Sequence, residues 1–213
     1  MRKLLATLLQ VRLAVAVIAV LGIAFIAFGI LVGMPPFAYI VIGLLIGLPT
    51  VIYAHKPREN AITNAKALTF FFGATLATLL IIQLIPYGKD HSNPPVNGEP
   101  AWSSPRTREL MVNACFGCHS NSVEYPAYAS VAPISWTVQS HVGEGRDKVN
   151  YQEWNSQQGE AEETIEVIRE GSMPPSYYTM FGMHPEAKLT DAEISELIAG
   201  LLATPGFSEG DGD

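Results

Sequence analysis

Three long apolar runs occupy the first part of the chain and dominate its hydrophobic pattern. They cover about residues 13–32, 37–54 and 67–85. Each is close to the length of about 20 apolar residues that a helix needs to cross a bilayer. Only residues 33–36 separate the first two runs, so we expect a tight helical hairpin followed by a third span. The sequence therefore predicts a transmembrane domain over residues 1–86.

The first apolar run is typical of a membrane anchor that is retained. It is longer than the roughly 7–15 apolar residues of a signal peptide, and no small-x-small cleavage site is evident after it. None of the three spans contains His, Asp, Glu, Lys or Arg, so nothing in them indicates a haem ligand or a proton path. Their glycines, with Gly43 and Gly47 at G-x-x-x-G spacing, favour close helix packing or an interface to another membrane subunit.

The basic residues of the first part of the chain lie on one side of the predicted spans. Residues 1–86 hold six Lys/Arg against one acid, and all six lie in the N-terminal segment or in the loop 55–66. Under the positive-inside rule both of these segments are cytoplasmic, so the chain after Ile85 lies outside. We therefore expect a multi-pass protein of the bacterial inner membrane, with a cytoplasmic N-terminus and a periplasmic C-terminal part.

The second part of the chain is acidic and has the composition of a soluble domain. Residues 87–213 carry seven Lys/Arg against nineteen Asp/Glu, a formal charge of −12, which argues against nucleic acid as a partner. Pro, Gly, Asn and Ser predict a linker over residues 87–103. A domain over residues 104–205 follows, and the Gly/Asp/Glu-rich residues 206–213 predict a disordered tail.

Helix signals recur along the predicted domain. No stretch alternates well enough to predict a strand, so the predicted fold class is all-α, a three-helix anchor followed by a helical domain. The signals are a Ser104-Pro105 start of a helix of about three turns that residues 115–119 close, a start at Pro133 with Ile134, Val138 and His141 on one face, a short helix near 162–170 that stops at Gly171, and a Thr190–Glu193 capping box.

The candidate chemistry lies in Cys115-Phe116-Gly117-Cys118-His119, a C-x-x-C-H motif. Two thiols at this spacing can each bond one vinyl group of a porphyrin, and the adjacent imidazole can bind the iron. Cys115 and Cys118 are therefore predicted to carry the thioethers of one covalently attached haem c, with His119 as the proximal ligand. They are the only two cysteines of the chain, so one haem uses both.

A C-x-x-C pair also occurs in redox dithiols and in zinc sites. The dithiol hypothesis expects a βαβ context, and the zinc hypothesis expects a second ligand pair at finger-like spacing. The sequence shows neither feature. The predicted topology also places the motif outside the membrane, on the side where haem is attached to c-type cytochromes.

The second axial position of the iron has two candidates. Met173 precedes two prolines, which fix an extended turn that can direct its thioether into a pocket. His141 would instead give coordination by two histidines and a lower potential, or it bonds a propionate or a carbonyl. Met180, Met183 and His184 are weaker candidates. Arg146 is a candidate to bind a haem propionate, and Trp136 is a candidate to pack on a porphyrin face. The alternatives are that Arg146 is an exposed arginine and that Trp136 is a core tryptophan.

Residues 111–203 resemble the bacterial haem-binding domain family, a cytochrome c-like group with one C-x-x-C-H. The resemblance implies an all-helical monohaem domain with Met173 as the distal ligand, and it says little about residues 1–86. The motifs that carry it are Cys115–Ser120, Ala132–Trp136, His141-Val142, Gly145-Arg146, Asn150–Trp154, Met173–Tyr178 and His184–Thr190.

These features favour a membrane-anchored electron carrier on the periplasmic face, with redox proteins as partners and no enzymatic activity of its own. It would be either a tethered mobile domain or a fixed subunit of a respiratory or photosynthetic complex. The alternative is a haem enzyme or a gas or redox sensor with an open sixth iron position. A third hypothesis is an assembly subunit in which haem only stabilises the fold.

Overall fold

The computed structural model describes residues 12–55, 63–155 and 161–207. Within these ranges the regular structure is helical, and the one β-type contact is an isolated bridge between Gly98 and Glu153. The predicted all-α class is therefore confirmed. The α-helices are α1 Arg12–Leu31, α2 Pro36–His55, α3 Asn64–Ile81, α4 Pro105–Ala114, α5 Phe116–His119, α6 Ile134–Lys148, α7 Thr164–Arg169 and α8 Asp191–Leu202. Short 3-10 turns lie at Ile82–Leu84, Ala127–Ser130, Met180–Gly182 and Pro185–Ala187.

Helices α1, α2 and α3 are each long and apolar enough to cross a membrane, with mean hydropathies of 2.9, 2.0 and 2.0. Their bounds agree with the predicted spans within a few residues. The third helix begins earlier, at Asn64, because the side chain of Thr63 accepts a hydrogen bond from the amide of Lys66 and caps it. Arg2, Lys3 and the basic residues at 56 and 58 lie outside the described residues, and the orientation in the membrane stays a prediction.

The chain forms two compact units. The first contains residues up to Asp90 together with Ala127–Val138, and the second contains His91–Pro126 and the chain from Gln139 onward. The sequence groups residues 127–138 with the soluble domain, whereas in the structure they pack within the first unit. Apolar side chains account for this placement, as the next paragraph describes.

The first unit is held by apolar contacts among α1 to α3 and the segment 127–138. Trp136 is fully buried, with its ring centroid 5.4 Å from that of Phe37. Beside it, the side-chain amide of Gln83 pairs with the backbone of Ala132: its Nε2 donates to the Ala132 carbonyl at 2.9 Å, and the Ala132 amide donates to its Oε1 at 3.1 Å. Ala38, Ile42 and Ile82 complete this buried cluster.

The span glycines make fewer close contacts than the sequence suggests. A Cβ added to Gly29 would meet the Tyr39 hydroxyl at 2.5 Å, so this glycine does permit close packing. Among the described residues, nothing lies within 4 Å of a Cβ built on four others, Gly22, Gly43, Gly47 and Gly73. The G-x-x-x-G pair therefore mediates no helix contact in the described part of this chain.

The second unit is built around one hydrophobic core. Phe116, Tyr151 and Phe207 are buried there, and the rings of Trp102 and Trp154 pack against them. The helices α4, α7 and α8 supply the aliphatic part, Leu110, Met111, Ile165, Ile168, Leu197 and Leu201.

Helix ends in the second unit follow the sequence signals. Ser104 caps α4 by accepting from the Thr107 amide at 3.0 Å, and Pro105 takes the first helical position. Thr190 and Glu193 form the predicted capping box at the start of α8. The chain leaves α7 through Gly171, whose φ of +68° suits glycine. The apolar face of α6 differs from the predicted one, which contained Ile134. Ile134 is exposed, and the buried apolar residues of α6 are Trp136 and Val142.

The sequence predicts a linker over residues 87–103 and a disordered tail over residues 206–213, but described residues of both segments are attached to the second unit. Residues 93–103 contain no helix, as their prolines predict, but hydrogen bonds attach them to the second unit; the Asn97 amide, for example, donates to the Gln152 carbonyl at 2.9 Å. The sequence places residues 206 and 207 in a disordered tail, whereas Phe207 is buried and stacks on Trp154. Composition does not reveal this packing, and residues 208–213 lie outside the described residues.

Candidate haem site

A cavity of about 530 Å³ lies in the second unit. This volume falls within the roughly 300–1,000 Å³ of small-molecule and cofactor sites. The cavity is bordered by the end of α4, by α5, by the last turns of α6, by α7 and by residues 173–178. Its apolar and aromatic lining includes Ala114, Val149, Tyr151, Val167, Ile168, Pro174, Pro175, Tyr177 and Tyr178.

The C-x-x-C-H motif borders this cavity with all three of its chemical groups, Cys115, Cys118 and His119. The sequence predicts one continuous helix into the motif, but the backbone breaks at Cys115, with φ −120° and ψ −35°, and the short helix α5 follows. With this break, Phe116 lies in the core and stacks on Tyr151 at a centroid distance of 6.2 Å.

His119 is oriented by the backbone just after α6. Its Nδ1 lies 3.0 Å from the Val149 carbonyl oxygen, and the amide of Tyr151 donates to the His119 carbonyl at 2.9 Å. A carbonyl only accepts, so Nδ1 carries the proton and Nε2 keeps its lone pair in the neutral ring. Burial lowers the pKa of His119. A neutral imidazole with Nδ1–H bonded to a carbonyl is the usual state of a metal-ligating histidine.

Both thiols are held in their neutral form. Burial raises the pKa of Cys115 to about 12, with a smaller contribution from Cys118, and raises that of Cys118 to about 11 against the lowering effect of Arg146. A redox dithiol or a thiolate metal site requires the opposite shift. In the described parts of the chain, no group of three or more His, Cys, Asp and Glu side chains could hold a metal ion.

Two glycines allow close approach to the motif. A Cβ on Gly145 would lie 2.9 Å from the Cys118 carbonyl oxygen and 3.1 Å from the Cys118 Cβ. A Cβ on Gly117 would overlap the Tyr178 hydroxyl. Because the close atoms at Gly145 include backbone atoms of Cys118, this position requires glycine as the structure stands, whereas at Gly117 the close atom is the end of a side chain that can move.

The two candidate distal ligands border the same cavity. Met173 lies on the loop after α7, where its amide donates to the Val167 carbonyl at 3.2 Å, and it is 42 % exposed. His141 comes from α6, and its ring centroid lies 4.9 Å from that of Tyr177. Which of them binds iron stays a prediction.

The weaker candidates lie elsewhere. Met180, Met183 and His184 are not among the residues that line the cavity; the His184 ring stacks on Tyr178 at 4.0 Å. Arg146 is also absent from the lining and bonds protein atoms instead. Trp136 is the core tryptophan of the first unit, so of its two predicted roles the structure shows the structural one.

These residues fit a haem. One largely apolar cavity brings together the two neutral thiols of the C-x-x-C pair, a neutral imidazole whose Nδ1 carries the proton, and a thioether or a second imidazole. The fold and the site thus define an all-helical haem protein that carries three apolar helices.

The comparison with protein families agrees with this class. A family model described as "Haem-binding domain" matches residues 77–203, more than half of the chain, and the chain belongs to this family. The match begins within α3 and includes the C-x-x-C-H motif. No curated protein and no solved structure matches the chain significantly.

Sequence reasoning did not identify the residues that orient the motif. The Val149 carbonyl has no sequence signal, because every residue has a carbonyl. Gly145 and Tyr178 belong to motifs that resemble the family, but only the structure shows that they contact Cys118 and Gly117.

Proposed function

We propose that this protein is a membrane-anchored c-type monohaem cytochrome that transfers electrons on the periplasmic face of a bacterial inner membrane. The observation that carries the proposal is the convergence of Cys115, Cys118, His119 and Met173 on one apolar cavity. Cys115 and Cys118 would hold the haem by thioethers. His119 would be the proximal ligand and Met173 the distal one, with His141 as the alternative.

The chain's own residues prepare this site for electron transfer. Haem bound here would supply one-electron chemistry between a donor protein and an acceptor protein. The Val149 carbonyl fixes the ring of His119, and the largely apolar lining would surround the porphyrin. Since electron transfer needs no acid or base catalyst, we propose no enzymatic activity for the protein alone.

The anchor and the charge pattern support the location. Helices α1 to α3 are long and apolar enough to insert in a membrane, and the basic residues of the first 86 favour a cytoplasmic N-terminus. The partners would be redox proteins, either diffusing or assembled with this chain in a respiratory or photosynthetic complex. Protease added to spheroplasts should digest the haem domain and spare it in inverted vesicles; the reverse result would contradict the orientation.

One alternative follows if neither Met173 nor His141 binds the iron, although both border the cavity. The protein would then be a haem enzyme or a gas or redox sensor with an open sixth position.

The test is the visible spectrum of the purified full chain, with three variants. Haem that resists acid–acetone extraction would establish covalent attachment. In the ferric protein we expect the long-wavelength sulfur-to-iron band, which Met173→Ala should remove and the matched control Met180→Ala should retain. If His141→Ala converts the iron to high spin and Met173→Ala does not, His141 is the ligand. A wild type that is already high-spin and binds carbon monoxide readily supports the alternative, and absence of covalent haem overturns the proposal.

A further inference from the structure

The last turn of α6 and the residue after it contact the haem motif and the residue that follows it at three points. Gly145 allows the backbone to lie against Cys118, and the Val149 carbonyl receives the ring of His119. Between these two contacts, the side chain of Arg146 reaches the residue that follows the proximal histidine: its Nε donates to the Ser120 carbonyl at 2.8 Å. Ser120 is fully buried, so its carbonyl depends on a protein donor.

The second arm of the same guanidinium extends this contact into a network. Its terminal nitrogen donates to Oδ1 of Asn93 at 2.8 Å. Asn93 in turn pairs with the backbone of Val123: its Nδ2 donates to the Val123 carbonyl at 2.9 Å, and the Val123 amide donates to its Oδ1 at 3.2 Å. Arg146 therefore bonds one end of the segment 120–123 directly and the other through Asn93.

The acceptors of Arg146 in this network are neutral, a carbonyl and an amide oxygen. Neither acceptor is anionic, so nothing in this network offsets the positive charge that lies beside the Ser120 carbonyl, one residue after His119. An arginine suits this position because its planar fork can serve two acceptors at once. A fixed positive charge near a redox group favours the reduced state, which carries one positive charge less.

We propose that Arg146 is a positioning residue for the proximal side of the haem, which holds the segment after His119 in place and raises the reduction potential with its charge. The inference rests on the proposed function, because it requires a haem that His119 ligates. It concerns neither haem attachment nor the distal ligand.

The test compares substitutions that separate charge from geometry in the full-length haem protein in detergent. Arg146→Gln removes the charge, and Arg146→Lys keeps the charge but loses the planar fork. Asn93→Ala keeps the charge and removes only the link to Val123. The control is Arg106→Gln, the same charge change at an arginine on α4 that pairs with Glu109, Glu193 and Glu196.

Two readouts are needed, a spectroelectrochemical titration of the haem and hydrogen exchange of residues 120–123. At a fixed ambient potential, Arg146→Gln should lower the ratio of reduced to oxidised haem about three- to tenfold; a tenfold change corresponds to about 59 mV for one electron. Arg146→Lys and Asn93→Ala should leave this ratio within about twofold but speed the exchange of residues 120–123. Arg106→Gln should change neither readout.

An unchanged potential in Arg146→Gln relative to Arg106→Gln would overturn the charge role, and unchanged exchange in Arg146→Lys would overturn the positioning role. If Arg146→Gln accumulates without haem, Arg146→Lys decides in its place: faster exchange at an unchanged potential supports the proposal, and no change in exchange overturns it. A wild type without reversibly titrating haem contradicts the proposed function itself, which is a different result from titrating haem that is insensitive to Arg146.

Discussion

Glu99 offers the sharpest test of how the second unit is held together. Its carboxylate accepts hydrogen bonds from Arg108 at 2.6 and 2.8 Å, from Trp102 Nε1 at 2.9 Å and from Gln152 Nε2 at 2.9 Å. Its side chain is 19 % exposed. Because all four bonds favour the charged form, Glu99→Gln should destabilise the unit by replacing an anionic acceptor with a neutral amide.

The magnitude follows from the pKa of the carboxyl. The hydrogen bonds from Arg108, followed by those from Gln152 and Trp102, lower the pKa of Glu99 from 4.5 to about 2, although burial opposes them. At about 1.36 kcal/mol per pKa unit, the charged form contributes about 3 kcal/mol to the free energy of unfolding. Because the folded pKa is the lower one, this contribution is present above pH 4.5 and is lost as the pH falls toward 2.

The assay is urea unfolding of the full-length haem protein in detergent, followed by haem absorption, because urea adds no salt that would screen the ion pair. Relative to wild type, Glu99→Gln should lose about 3 kcal/mol at pH 7 and about half of that at pH 3, where Glu99 of the unfolded wild-type chain is already protonated. The control Glu109→Gln removes an exposed partner of Arg106 and should change stability by less than about 0.5 kcal/mol. A Glu99→Gln effect that is the same at pH 7 and pH 3 would refute this reasoning.

Other consequences of the structure can be tested with single substitutions. Gly145→Ala should reduce haem retention and cost about 1–3 kcal/mol, because the new Cβ meets the Cys118 backbone; Gly143→Ala, in open space on the same helix, should instead stabilise by up to about 1 kcal/mol. Thermal unfolding of both variants decides this, and equal effects would contradict it. Gln83→Leu should speed hydrogen exchange of the Ala132 amide about tenfold or more, because both buried backbone groups of Ala132 lose their partner; unchanged exchange would show that the pairing is not maintained in solution.

Local sequence signals predicted most of the helices. The three apolar runs, the Ser104-Pro105 start and the capping box at Thr190 are each encoded within a few residues, and the structure confirms them. The burial of Ile165 and Ile168 follows from their spacing on one turn. Such features need no distant partner, because helical periodicity and capping act over three or four residues.

Packing between distant segments could not be predicted in this way. Pro and Gly correctly exclude a helix from residues 93–103, but they do not reveal that Glu99 binds Gln152, 53 positions further along the chain. Trp136 could belong to a porphyrin pocket or to a core by its sequence alone. Its position beside Phe37 depends on how the chain returns to the membrane helices.

The sequence by itself determined the chemistry of this protein: two thiols and an imidazole at a spacing that suits one porphyrin, and three spans that can anchor it. These are properties of residues that are close together in the sequence, so they can be recognised without the tertiary structure. The tertiary structure decided how that chemistry is held. It placed the carbonyl of Val149 against His119, the guanidinium of Arg146 against Ser120, and Met173 and His141 at one cavity. Those contacts join residues that are tens of positions apart, and only the folded chain brings them within bonding distance.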